Sequence, residues 1–202
     1  MELNKIESYK TKLFNFKNEF KKLYYKSCGE YIVILKKCID TLCNEDRLNI
    51  YDIENASYRA NKMYVYDIVH KFNNTHTNKI YNTIYPKKIL YEKYKIIECD
   101  NYNEDTNTIY TTGIHYYKNY KRAFYEENEI LVKFLYSGHF IEYDGYGQKI
   151  QEGAYINGVP HGNWTIYKPL HIINQNDTSL YQLCQLEYYR FFGNTNYIIK
   201  SY

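Results

Sequence analysis

The chain is sparing with the residues that fix a structure covalently or bend it sharply: five cysteines, three prolines, nine glycines, two methionines and one tryptophan in 202 residues. Cysteines in an odd number, behind an N-terminus (MELNKIESYK) without an apolar core segment, argue for reduced thiols in a cytosolic compartment. No apolar run approaches the roughly 18 residues of a membrane-spanning helix. A net charge of +3 is too small to imply a nucleic-acid partner. There is no Gly-x-x-x-x-Gly-Lys-Ser/Thr loop, no Gly-x-Gly-x-x-Gly, no Gly-x-Ser-x-Gly and no His-Glu-x-x-His. The common phosphate, dinucleotide, hydrolase and zinc-protease signatures are therefore excluded.

What is abundant is Tyr (28), Ile (23), Asn (22) and Lys (22), against four Ala. All four abundant residues have A/T-rich codons, so the bias reads as a genome signature. Its physical consequence is a core built from Ile and Tyr rings, whose hydroxyls need partners when buried. At 45% hydrophobic residues the chain has ample material for one compact domain, or a core with an appended element.

The glycines are concentrated. Six of the nine fall between Gly138 and Tyr167, together with Trp164 and Pro160. Phe140-Ile141-Glu142-Tyr143, Gly153-Ala154-Tyr155-Ile156 and Trp164-Thr165-Ile166-Tyr167 read as half-buried strands, with Phe140, Tyr155 and Trp164 on the buried face. Asp144-Gly145 and Asn157-Gly158 are tight-turn dipeptides, and Pro160 marks the point where the chain leaves the strand. Gly138-x-Phe140-x-x-Tyr143 and Gly162-x-Trp164-x-x-Tyr167 are one phrase repeated 24 residues apart, as hairpin repeats are. Gly153, Tyr155, Asn157, Gly158, His161, Gly162, Trp164 and Tyr167 together resemble the short signature of the MORN repeat. After Tyr167 the phrase is lost, although 181–192 and 197–202 can still pair as strands.

Upstream, Ile6, Tyr9, Leu13, Phe16, Phe20 and Leu23 are spaced 3-4-3-4-3, the stripe of an amphipathic helix over 4–26. Ser27-x-x-Glu30 is a capping-box pattern that predicts a second helix to about Asn44, with Ile32, Leu35, Ile39 and Leu42 inward. On such a helix Cys38 and Cys43 diverge, so Cys28, Cys38 and Cys43 read as inert packing residues and not as a metal set. From Ser57 the pattern turns to strands over 58–69, 89–99 and 111–117, followed by a helix capped by Asn119 and running to about Asn128.

The middle of the chain resembles an uncharacterised family found in giant viruses and in some pentapeptide-repeat proteins. Arg59, Ala60, Lys62, Val65, Glu104, Asp105, Gly113, Ile114, His115 and Ala123 carry the likeness. The departures are Tyr58 and Tyr110, where cysteines are usual, and Lys93-Tyr94, where a glycine is usual. The order of middle domain followed by MORN-like hairpins is similar to that of giant-virus proteins.

These readings predict an α+β protein: a helical N-terminal region over 1–55, a small α+β domain over 56–128, and an antiparallel sheet of MORN-like hairpins over 129–202. No catalytic residue stands out. His115, Arg59, Glu104 and Asp105 are the only constellation with chemistry to offer, a titratable imidazole beside a cation and two carboxylates. For His115 the strand alternation favours a hydrogen-bonded structural histidine, and an enzyme of unknown reaction centred on His115 and Arg59 is the alternative. No metal set and no cofactor motif is present, because the acidic residues Glu98, Asp100, Glu104 and Asp105 lack the EF-hand spacing. The expected function is a non-enzymatic interaction protein in host cytoplasm that binds a protein. Membrane lipid and self-association, both linked to MORN-type sheets, are the other partners the resemblance implies.

Overall fold

The computed structural model describes residues 22–83, 88–168, 185–192 and 196–201, with side chains described as far as Tyr167. The chain is mostly β, which corrects the α+β expectation. Strands β1 (Tyr24–Cys28), β2 (Tyr31–Lys36), β3 (Ser57–Ala60), β4 (Lys62–His70), β7 (Ile96–Glu98) and β8 (Ile114–Tyr117) form one sheet. Its order is β3-β8-β1-β2-β4-β7, and β5 (Lys79–Tyr81) and β6 (Leu90–Glu92) pair separately. Two helices, α1 (Tyr120–Tyr125) and α2 (Asn128–Lys133), lead to a five-stranded meander of β9 (Gly138–Tyr143), β10 (Lys149–Ile156), β11 (Val159–Lys168), β12 (Gln185–Phe192) and β13 (Asn196–Ser201). All pairings are antiparallel.

Among the described residues the N-terminal helical pair is not found. Residues 4–21 of the first expected helix lie outside the described residues, and its last turn is strand β1. The second is a hairpin. Gly29 takes φ +59° in a two-residue turn between Cys28 and Tyr31, a geometry that glycine adopts without strain. The run Ile32-Val33-Ile34 that follows is β-branched and favours the pleated sheet. Ile32 and Leu35 are buried as expected, whereas Ile39 and Leu42 are exposed in the loop beyond β2. Strands β1 and β2, from the 1–55 region, thus share a sheet with strands of the 56–128 region.

The expected strand over 58–69 is broken in two. Asn61 alone separates β3 from β4, yet they stand first and fifth in the sheet. The sheet must therefore curl back on itself, and its concave side holds the main core. Val33, Leu35, Tyr58, Ala60, Met63, Val65, Ile68, Ile114 and Tyr116 fill that side, almost wholly removed from water. Each buried aliphatic side chain of this kind stabilises the fold by about 1.5–3 kcal/mol. Tyr116 is stacked against Tyr58 and edge-on to Tyr24, which is how a tyrosine-rich chain closes its core. The strand expected over 89–99 is likewise split, by a turn in which Tyr94 takes φ +67°.

Helix α1 joins the two sheets. Asn119 caps it, its side chain accepting from the Lys121 amide at 2.8 Å. The helix stops at Tyr125, short of the expected Asn128. Ala123 packs against Ile32 and Tyr117 on the convex side of the first sheet. Across the helix, the Arg122 guanidinium donates to the Tyr143 carbonyl (3.0 Å) and the Tyr125 hydroxyl to the His139 carbonyl (2.7 Å). Those carbonyls belong to β9, the edge strand, so the helix covers an edge that would otherwise invite further pairing.

After α1 the chain turns at Glu127, a non-glycine residue at φ +63°. Its carboxylate explains why that conformation persists. It accepts from the Gly29 amide (3.0 Å), the Ser27 hydroxyl (2.8 Å) and the Thr83 hydroxyl (2.8 Å), so the surroundings over-determine the turn. Lys71, nearly buried, donates to the Ser27 hydroxyl and the Glu126 carbonyl beside it. Burial brings its amine down to about 8. The β9–β10 turn closes a second joint. Gly147, at φ +87°, lies so close to the Asp52 carbonyl that a Cβ would stand 2.5 Å from its oxygen, and the Gly145 carbonyl accepts from the Ser57 amide.

In the second sheet Phe140, Tyr155 and Trp164, from three adjacent strands, form one buried ring cluster with Leu131 of α2. The Asn157-Gly158 turn forms as expected, with both residues at positive φ and Ile156 opposite Val159. Pro160 lies inside β11 and not at an exit, accommodated beyond the point where the β12 ladder begins at Gly162. The register of β10 with β11 jumps between Glu152–Thr165 and Ala154–His161, so Gly153 alone faces residues 162–164. Gly162 supplies the left-handed backbone of that bulge, at φ +73°. Gly153 supplies the room: a Cβ there would lie 2.3 Å from the indole of Trp164. The indole is rigid and cannot give way, so Gly153→Ala is expected to lower stability by about 2–3 kcal/mol. It should also shift the single-tryptophan emission, blue and poorly quenched by iodide in the wild type, to the red. An unchanged melting curve and emission would contradict the packing.

Candidate functional site

The sequence singled out Arg59, His115, Glu104 and Asp105, and the fold brings the first two together. Arg59 on β3 and His115 on β8 are direct cross-strand partners, so both side chains leave the same convex face. Gly113, just before β8, permits the approach, since a Cβ there would stand 3.0 Å from the Arg59 Cβ. Over this face lies the 103–111 loop.

Arg59 is fully buried. Its Nε donates to the Thr108 carbonyl at 2.9 Å, and its two terminal nitrogens donate to the carbonyls of Asn103 and Asp105. The guanidinium lies 5.0 Å from the centre of the Tyr102 ring. Its backbone amide donates to the Asn44 side chain (2.9 Å), and the Asn44 amide returns a bond to the Arg59 carbonyl. A buried cation satisfied by backbone oxygens, with no carboxylate among its hydrogen-bond partners, is a device for shaping a loop.

Asp105 gives Arg59 a hydrogen bond from its backbone carbonyl and not from its carboxylate. The carboxylate is spent inside the loop, accepting from the Thr108 hydroxyl and the Asn107 amide. Those bonds, the Thr108 hydroxyl first, hold it below the usual carboxylate range. Glu104 is exposed. His115 is buried and passes a ring N–H to the Thr111 carbonyl, 2.7 Å from Nε2. Burial pushes its pKa down to about 4, with the Lys26 and Arg59 cations adding to the effect against the Thr111 bond. At neutral pH the ring is uncharged, with one nitrogen committed to the loop backbone, an arrangement suited to structural support and poorly suited to proton transfer.

Sequence reasoning missed a second polar centre on the opposite flank of Tyr58. Glu45 accepts from Lys37 (2.7 Å), Lys118 (2.9 Å) and the Tyr116 hydroxyl (2.6 Å). Burial would raise its pKa, and these three partners outweigh that and hold it low. Lys37 also lies 3.1 Å from the Cys43 sulfur. Lys118 and Arg47 flank the Tyr58 ring, and Arg47 donates to the Ser57 and Gly145 carbonyls. Among the described residues no three His, Cys, Asp or Glu side chains converge where they could hold a metal ion.

The repeat-signature residues are not gathered into a cleft. Phe140, Tyr155 and Trp164 are buried, Gly153 and Gly162 shape the bulge, and Asn157-Gly158 makes the turn. Gly138, at the start of β9, faces the Tyr136 ring. Tyr143 and Tyr167 are half-buried, the latter donating its hydroxyl to Glu152, and His161 is exposed.

The family of unknown function DUF5758 matches residues 11–123. That is more than half of the chain, which therefore belongs to this family. The match takes in β1 to β8, the loop over Arg59 and the first residues of α1, and stops before the second sheet. No curated protein and no solved structure matches the chain. Among the described residues no helix is long and apolar enough to cross a membrane.

The buried imidazole has a measurable consequence. The unfolded chain binds a proton at His115 near pH 6.5, and the folded chain does so only near pH 4. Stability is therefore fully present above about pH 6.5 and is lost as pH falls through that window. The loss amounts to about 3 kcal/mol for this residue. His115→Gln, which can still donate to Thr111, should flatten the stability profile between pH 6.5 and 4. Urea unfolding at several pH values checks this, and parallel profiles for the two proteins would contradict it.

Proposed function

We propose that this chain is a non-enzymatic interaction protein, whose MORN-like hairpins hold a protein partner in the cytoplasm of a host cell. The observation that carries the reading is an apolar surface at the β10–β11 turn. Ile156 and Val159 flank Asn157-Gly158, and the Gly158 backbone packs directly against the backbones of Val132 and Leu135. These four side chains stay 47%, 48%, 48% and 65% exposed in that order. Leu135 is held at φ +51°, an unfavourable conformation for a branched side chain that displays it outward. Grouped apolar side chains on a soluble face mark contact surfaces more often than scattered ones do.

The contrasting reading, an enzyme centred on His115 and Arg59, loses its support because both side chains are occupied in holding the 103–111 loop. Membrane lipid and self-association remain partners to be separated by experiment. The full chain carrying Leu135→Lys and Val159→Lys should melt within about 0.5 kcal/mol of the wild type, since both positions are exposed. It should lose the protein captured by the wild type from host cytoplasm. Capture that survives both substitutions would contradict the assignment of this surface. Binding to anionic vesicles, or a dimer in sedimentation that the same substitutions abolish, would replace a protein partner by lipid or by a second copy.

A further inference from the structure

The Lys37–Cys43 contact plays no part in the reading above, and it places two reactive groups within bonding reach. Lys37 Nζ lies 3.1 Å from Cys43 Sγ and 2.7 Å from Glu45 Oε1. Both side chains are partly exposed, so a small oxidant can reach them. Of the other described cysteines, Cys99 is partly exposed like Cys43, while Cys28 and Cys38 differ. Cys28 and Cys38 are buried, and burial pushes both thiols above the usual range.

We propose that Lys37 and Cys43 form a covalent modification site, in which a hydroperoxide oxidises the sulfur and the lysine amine then closes on it as a sulfur–nitrogen cross-link. In the first step Cys43 Sγ attacks the peroxide. A sulfur–oxygen bond forms, the oxygen–oxygen bond breaks, sulfur gives up two electrons, and the hydroperoxide leaves as water or an alcohol. In the second step Lys37, its ammonium proton given up to solvent, attacks the sulfenic sulfur. A nitrogen–sulfur bond forms and the sulfur–oxygen bond breaks. The departing oxygen leaves as water with one hydrogen from the sulfenic acid and one from the amine. No further reductant or oxidant is required, and added thiol reverses the link.

The position gives the cross-link a mechanical effect. Cys43 bridges to Ala60 at the end of β3, and Asn44 beside it is bonded on both sides of the Arg59 backbone. Lys37 immediately follows β2. The link therefore fastens the segment that seals the β3 edge to the end of a central strand.

The experiment treats the intact wild-type chain with hydrogen peroxide, digests it and maps the peptides by mass. The expected product joins the peptides of residues 37 and 43, about two mass units lighter than their sum, and disappears on reduction. Lys37→Arg keeps a cation against Cys43 and Glu45 but supplies no amine, so it should yield an unlinked Cys43 sulfenic acid that dimedone traps. Cys43→Ala should yield neither. Retention of the wild-type tryptophan emission shows that each variant is folded. The proposal is overturned if wild-type Cys43 is oxidised without becoming linked to Lys37, if it pairs with another cysteine instead, or if it stays reduced while other cysteines react.

Discussion

The fold depends on one buried cation. Arg59 carries a full positive charge away from the solvent-exposed surface, and three carbonyls of a single loop are what make that tolerable. The dependence runs both ways. A loop of that length has few apolar contacts of its own, and the guanidinium fork is the only side chain type able to take several carbonyls in one plane. Asp105 and Asn103 then tie the loop to itself, Asn103 accepting from the Asp105 amide and reaching Thr111. His115, beside Arg59, fastens the far end of the loop through the Thr111 carbonyl. The residues with the strongest chemical character in this region are thus consumed in holding a loop against a sheet.

From that face the rest of the chain follows in sequence. With β3 fixed between β8 and the Cys43–Asn44 segment, the sheet can curl and enclose the tyrosine-rich core. Its convex side receives α1, whose Arg122 and Tyr125 seal the edge of the second sheet. Glu127, just past the C-terminal end of α1, holds the N-terminal hairpin, and Gly145 and Gly147 bring the β9–β10 turn onto residues 52–57. The second sheet is therefore braced at two points by the first. That bracing lets its outer turn present apolar side chains at the Asn157-Gly158 corner without support from further repeats.

How much of this was legible in the sequence depended on whether the signal was local. Asn157-Gly158, the alternation of Phe140, Tyr155 and Trp164, and the Asn119 cap act within a few residues, and each reads directly. The N-terminal hairpin was misread because Ile32, Leu35, Ile39 and Leu42 fit a helical stripe, while Ser27 and Glu30 imitate a capping box. Their real partners are remote: Ser27 binds Glu127, and Glu30 binds Lys133. Gly29, followed by a β-branched run, was the available clue. The candidate site was half legible. Arg59 and His115 are neighbours across two strands, but residue type alone does not show that Asp105 contributes its carbonyl and spends its carboxylate elsewhere. Likewise Gly153 could be recognised as a repeat glycine, but its contact with Trp164 arises from a bulge that only the register reveals.

Arg59 organises the loop over residues 103–111 and through it the first sheet. Arg59→Met is the sharpest probe, because methionine keeps much of the stem and removes the fork. Urea unfolding, combined with amide hydrogen exchange, reads both parts of the claim. A loss of about 3–5 kcal/mol is expected, as when a buried charge network is broken, with protection falling in the strands as well as in the loop. Arg59→Lys should recover only part of that loss, since one ammonium cannot span three carbonyls. An Arg59→Met protein as stable as the wild type, with unchanged exchange over residues 103–117, would contradict it.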